Sequence, residues 1–148
     1  MAAIKKIKYK SGYKYQLAEM YLQQVPIYDR IIESKYIFIN QDGLLRILDG
    51  YSWDGPSGPT IDTHTFMRGS LVHDALYQLI REGHLSEAHR LMADQLLREI
   101  CLEDGMSRLR AWYVYHSVRL FADSACDPRN KKRLMTAPKR INICHQIK

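Results

Sequence analysis

The sequence predicts an α+β protein: an N-terminal β-meander of hairpins, a Gly/Pro-rich loop, then a three-helix half. Three observations carry this. Apolar and polar residues alternate in the first third of the chain, as half-buried strands require. Glycine and proline then crowd a short stretch, and beyond it apolar residues recur at helical spacing. The 148 residues fit one domain, divided into a β-rich segment 1–52, a loop 53–65, a helical core 66–123 and a basic aperiodic tail 124–148.

Ile4, Ile7 and Tyr9 alternate with lysines, and Tyr13, Tyr15 and Leu17 alternate with Lys and Gln. Pro26 lacks an N–H and ends or bends an earlier strand. The β-branched and aromatic run Tyr36–Asn40 meets Gln41-Asp42-Gly43 and continues into Leu44–Leu48, a hairpin signature. From Gly50 to Thr65, GYSWDGPSGPTIDTHT holds too many turn formers for a regular element and reads as a shaped loop. A helix over 66–82 aligns Val72, Ala75, Leu76, Leu79 and Ile80, and Gly83 stops it. Ser86 can cap a second helix, 86–103, with Leu91, Leu97, Ile100 and Cys101 on its apolar face. Ser107 can cap a third, 107–123, carrying Leu109, Trp112, Val114, Tyr115, Val118 and Phe121. Tyr77, Trp112 and Tyr115 read as core aromatics.

Lys and Arg number 22 against 16 Asp and Glu, for a net charge of +6. Lys5, Lys6, Lys8, Lys10 and Lys14 stand in an acid-free start, and Arg129, Lys131, Lys132, Arg133, Lys139, Arg140 and Lys148 in an acid-free end. Such a surface is either simply solvated or drawn to anionic partners, phospholipid headgroups among them. No recognised nucleic-acid motif is present, so no specific nucleic acid is indicated. Apolar runs of a few residues, such as Ile37–Ile39, exclude a transmembrane helix, and the N-terminus lacks the apolar stretch of a signal peptide. Three cysteines without CxxC spacing argue against a disulfide framework or a structural zinc site and fit a reducing compartment.

The chemistry-bearing stretch is His73-Asp74-Ala75-Leu76-Tyr77, followed by Asp94. On a helix His73 and Tyr77 share a face, with Asp74 about 100° round from His73. Two antiparallel helices joined near Gly83 bring Asp94 opposite His73. Asp94 lies among apolar neighbours, Leu91 and Leu97, and a carboxylate there needs partners; His73 and Tyr77 are the natural donors. A histidine held through one ring nitrogen presents the other as a general base. The same pair equally serves as a buried structural link between helices. Asp74, turned toward the loop, can join carbonyls of Trp53, Gly55, Ser57 and Gly58 around a hard cation such as Ca²⁺. Trp53 either plugs the loop onto the helices or forms a lipid-facing rim. His64, His89 and Asp94 would be the ligands of a different class, a metal-dependent phosphohydrolase.

A Gly-rich loop, then HDxxY, then a helix bearing Ala93-Asp94 resembles the phospholipase A2 superfamily, especially its compact, disulfide-free branch in parvovirus capsid proteins. The resemblance covers roughly residues 50–122. It implies a phospholipase A2-like helical half in which His73 is the base, Asp94 orients it, Tyr77 supports the network and Asp74 binds Ca²⁺. The loop departs from the superfamily's glycine pattern and carries Asp54 and Asp62 in addition. The stretch SWDGPSGPTID, LVHDALYQL and AD is similar, more closely, to a phage- and prophage-encoded domain family of unknown function. That likeness implies a virion or bacterial-cytoplasm location. It also implies partnership with other phage structural proteins or with further copies of the chain. The chain is then expected to be either a Ca²⁺-dependent lipid ester hydrolase or a non-catalytic particle component.

Overall fold

The computed structural model describes residues 7, 9–10, 15–55, 64–126 and 129, with 9–10 and 121–126 described by backbone alone. Seven short strands lead: β1 Tyr9–Lys10, β2 Tyr15–Leu17, β3 Tyr21–Gln24, β4 Ile32–Glu33, β5 Ile37–Ile39, β6 Leu44–Ile47 and β7 Ser52–Trp53. They form two antiparallel sheets, ordered β1-β2-β7 and β3-β6-β5-β4. Helices follow: α1 His64–Arg81, a 3-10 turn Glu87–His89, α2 Arg90–Glu103 and α3 Arg108–Cys126. The expected α+β class and the order of its elements are present.

The β5–β6 hairpin pairs Ile39 with Leu45 and Ile37 with Ile47, so alternate side chains share the buried face. Its loop is closed by Asn40, whose Oδ1 accepts the amides of Asp42 and Leu44. Gly43 sits at φ +76°, and a Cβ there would collide with the Val25 carbonyl oxygen; only glycine fits. Strand β3 ends just before Pro26, as expected. One expectation is corrected: the stretch from Gly50 is not loop throughout, because β7 lies within it. Tyr15 pairs with Trp53 and Gln16 with Ser52, and Trp53 is buried while Ser52 faces solvent. Two residues are enough to extend a sheet when the partner strand already exists, and so short an alternation leaves no periodic signal.

One buried cluster joins the sheets to the helices. Leu17, Val25, Ile37, Ile39, Leu45 and Ile47 belong to it together with Leu71, Val72, Ala75, Leu76, Leu79 and Ile80 of α1. A second cluster gathers Phe66, Leu97, Cys101, Met106, Ala111 and Val114 between the helices. Gly69 lets α1 and α2 approach closely; a Cβ there would lie 2.9 Å from Cys101 Sγ and 3.3 Å from the Leu97 carbonyl. Arg68, buried at the C-terminal end of α2, donates through Nε to both Asp104 oxygens, through Nη2 to Glu103 and through Nη1 to the Tyr21 hydroxyl. It ties β3, α1 and the end of α2 together.

Several helix details depart from expectation. Residues 87–89 form a 3-10 turn, and the Ser86 side chain does not cap it but lies 3.1 Å from His89 Nδ1. Ser107 does cap, its Oγ accepting the Arg110 amide. Leu91 is exposed; α2 buries Ala93, Leu96, Leu97, Ile100 and Cys101 instead. On α3, Leu109 and Trp112 point outward, while Ala111 and Val114 are the buried residues and Tyr115 is half-buried. Trp112 is therefore not a core aromatic, whereas Tyr77 is. The Phe121 side chain lies outside what is described. Apolar residues occupy most of the α3 circumference, so its inward face is selected by what it packs on. Among the described residues no helix is long and apolar enough to cross a membrane.

Candidate functional site

Helices α1 and α2 run antiparallel: Arg68 meets Asp104, Gly69 lies against Leu97 and Cys101, and His73 meets Asp94. That pairing places Asp94, completely buried, beneath His73. His73 Nε2 is 2.7 Å from Asp94 Oδ1, and the Tyr77 hydroxyl donates to the same oxygen at 2.5 Å. The rings of His73 and Tyr77, one turn apart on α1, have centroids 4.0 Å apart. Because the carboxylate accepts, Nε2 carries the proton in the neutral imidazole and Nδ1 carries the lone pair. Nδ1 lies 3.9 Å from Asp74 Oδ1, beyond hydrogen-bond reach. The expected contacts of both His73 and Tyr77 with Asp94 are thus present.

Arg119 completes the site, and nothing in the sequence singled it out. From α3 its Nη1 donates to Asp94 Oδ2 at 2.8 Å, so the buried carboxylate receives one donor or more from each of α1 and α3. Burial by itself would raise the Asp94 pKa, but His73, Tyr77 and Arg119 together hold it below its ordinary value. Burial likewise opposes charge on His73, but the adjacent carboxylates of Asp74 and Asp94 outweigh it and raise its pKa. Cys101 is buried, and burial pushes its thiol up to about 12, which fits a small core residue and not a nucleophile.

Positions 70, 74 and 78 share one face of α1, and the segment 51–53 lies along it. Trp53 Nε1 donates to Ser70 Oγ at 3.1 Å, and the Tyr51 hydroxyl donates to Gln78 Oε1 at 3.1 Å. Asp74, partly exposed, stands between these two anchors, on the side of α1 that segment 51–53 lines; loop residues 56–63, toward which it is expected to turn, lie outside the described residues. Burial and then the Asp74 charge raise the Tyr51 pKa, consistent with that placement. Trp53 is therefore a plug, not a lipid-facing rim: it is buried, its backbone is paired in β7, and its ring packs 5.6 Å from that of Tyr15. Gly55, at φ +74°, is packed so tightly that a Cβ would lie 2.5 Å from the Tyr15 ring. Ser57 and Gly58 lie outside the described residues.

Ca²⁺ takes six to eight oxygens. Of the described residues expected to hold it, Asp74 alone offers a carboxylate, and nowhere among the described residues do three His, Cys, Asp or Glu side chains gather as a metal would need. The phosphohydrolase set is accordingly not assembled. His64 opens α1 and is exposed, and His89 turns to Ser86, while Asp94 is enclosed by His73, Tyr77 and Arg119. A separate groove of about 370 Å³ lies on the four-stranded sheet, lined by Ile31, Phe38, Leu44 and Arg46 among others, and none of its walls comes from a helix.

No curated protein and no solved structure matches the chain. A family model matches residues 31–118, more than half of the chain, and so takes in His73, Asp74, Tyr77 and Asp94 while leaving out Arg119. The chain belongs to the DUF1353 family, described as proteins of unknown function.

Proposed function

We propose that this chain is a phage-encoded, virion-associated protein whose phospholipase A2-like helical core hydrolyses a carboxylic ester of a lipid, with His73 as general base. One observation carries the reading: His73 is fixed through Nε2 by a fully buried carboxylate, while Nδ1 stands beyond hydrogen-bond reach of the nearby Asp74. The motif likeness of HDxxY and Ala93-Asp94, and of the flanking stretches to phage-encoded domains, supports the substrate class and the context.

In the proposed reaction, Nδ1 of neutral His73 takes a proton from water as the water oxygen adds to the ester carbonyl. The acyl–oxygen bond then breaks, and the imidazolium returns the proton to the departing alkoxide. Asp94 keeps the ring oriented and stabilises the imidazolium, while Tyr77 and Arg119 keep Asp94 ionised. The cation of this proposal is Ca²⁺, with Asp74 as its carboxylate; bound there, it would polarise the ester carbonyl. Since the described residues do not assemble its shell, no step above passes through it. The basic terminal segments would hold the protein against anionic lipid.

A second reading has its own observation. Arg119 neutralises Asp94 from a third helix, so the cluster joins α1, α2 and α3 whether or not a substrate arrives. On that reading the chain is a non-catalytic structural protein of a phage particle.

Fatty-acid release from phospholipid–detergent mixed micelles, with and without chelator, separates the two. The hydrolase reading expects release by wild type, its loss with chelator, and its loss in a folded His73→Gln variant. Absence of release by wild type in millimolar Ca²⁺ would leave the structural reading.

A further inference from the structure

Helix α3 carries an exposed stripe that no described element covers. Leu109, Trp112, Tyr113, His116 and Leu120 follow at spacings of three, one, three and four residues, which places them in a sector about 100° wide. Leu109 and Leu120 are 79% and 77% exposed, and Trp112 is 51% exposed. The Trp112 and His116 rings meet at a tilt with centroids 4.5 Å apart, so the middle of the stripe is continuous. On the opposite side of the helix Ala111 and Val114 are buried. Basic residues border the ridge in sequence: Arg108 flanks it on one side and Arg110 on the other, while Arg119 is engaged by Asp94. No acidic residue occurs from 105 to 122.

We infer that this face of α3 is an interfacial lipid-binding surface that lies on anionic phospholipid. Large apolar and amphipathic aromatic side chains on one helix face, edged by arginine and free of acid, match the pattern of helices that lie in the plane of a bilayer interface. Tyr and Trp settle at the headgroup level, where one end of each ring system is apolar and the other wet. The ridge is convex, which suits a deformable surface. A protein partner would need a groove and, against the bordering arginines, acid of its own. The inference goes beyond the hydrolase reading, since binding by α3 requires nothing of His73.

The test is co-sedimentation of the full chain with vesicles of phosphatidylcholine alone and of an equal phosphatidylcholine–phosphatidylglycerol mixture, in chelator so that lipid is not turned over. Wild type should pellet with the mixed vesicles and release as salt rises. The double variant Trp112→Ser/Leu120→Ser should partition about tenfold or more weakly. A control pair, Tyr28→Ser/Ile31→Ser, removes equally exposed apolar side chains before β4 and should bind as wild type. Equal partition of wild type and the α3 variant would overturn the inference. So would failure of wild type to pellet while it elutes as an oligomer that the α3 variant dissociates, which would make the ridge a self-contact. Vesicle binding in chelator, with no fatty-acid release once the chelator is replaced by millimolar Ca²⁺, would sink the hydrolase and spare this surface.

Discussion

Replacing Asp94 by alanine tests the centre of the site. The carboxylate is 0% exposed and receives His73 Nε2 and Tyr77 Oη on one oxygen and Arg119 Nη1 on the other. Without it, two buried donors on α1 lose their acceptor, each at a cost of about 1–3 kcal/mol. Arg119 is about one-third exposed and can return to water, so its loss adds little. The expected total is about 3–4 kcal/mol, which for a chain of this size lowers the melting temperature by roughly 10 °C. Urea unfolding followed by circular dichroism measures it, with the denaturant slope expected to stay at the wild-type value. Arg119→Ala should cost less, about 1–2 kcal/mol, because Asp94 keeps both α1 donors. A loss below about 1 kcal/mol for Asp94→Ala would refute the reasoning, since a buried carboxylate with three donors cannot be that dispensable.

Wild-type stability should have an acid and an alkaline limb. The depressed Asp94 pKa gives stability that is present above the ordinary carboxylate range and lost as pH falls through the folded value. The raised His73 pKa gives stability that is full below the ordinary histidine value of 6.5 and lost as pH rises through the folded value; His73→Gln should flatten that limb in unfolding titrations. If His73 is the base, fatty-acid release should rise with pH across the same window, because only the neutral ring accepts a proton. Gly69→Ala should destabilise by about 1–2 kcal/mol in chemical unfolding, since the new methyl meets Cys101 and the Leu97 backbone; unchanged stability would mean that α1 and α2 are not so close. In a double-mutant cycle, Trp53→Phe and Ser70→Ala should couple by about 1 kcal/mol, the signature of the indole hydrogen bond, whereas additivity would remove the bond that seats β7 on α1.

Where the sequence was readable, several local signals agreed. The β5–β6 hairpin combined alternating side chains with an Asn–Gln–Asp–Gly loop, and each favours the same register. His73 and Tyr77 were placed together by helical spacing, and Asp94 by being a lone acid among apolar neighbours, which must find donors. Arg119 had no such signal, because it is one of several arginines on α3 and its partner is 25 residues away. Leu91, Leu109 and Trp112 were misplaced for a related reason. An apolar side chain states a preference for burial but not which surface will be there to bury it.

By itself the sequence determined the fold class, the hairpin, the helix order and the approximate helix ends, since these depend on residues within one or two turns of each other. It also determined that Asp94 had to be buried with His73, because an unpaired carboxylate among leucines costs several kcal/mol. Only the tertiary structure decided that β7 adds to β2, that Trp53 seals the sheet against Ser70, and that Arg119 reaches Asp94 from α3. It alone decided that α3 turns Ala111 inward and leaves the Leu109–Leu120 ridge outside. Those outcomes join residues far apart in the chain, and they follow from which helix faces fit closely enough to exclude water. Small side chains such as Ala111 and Gly69 win that competition over larger apolar ones because they let backbones approach.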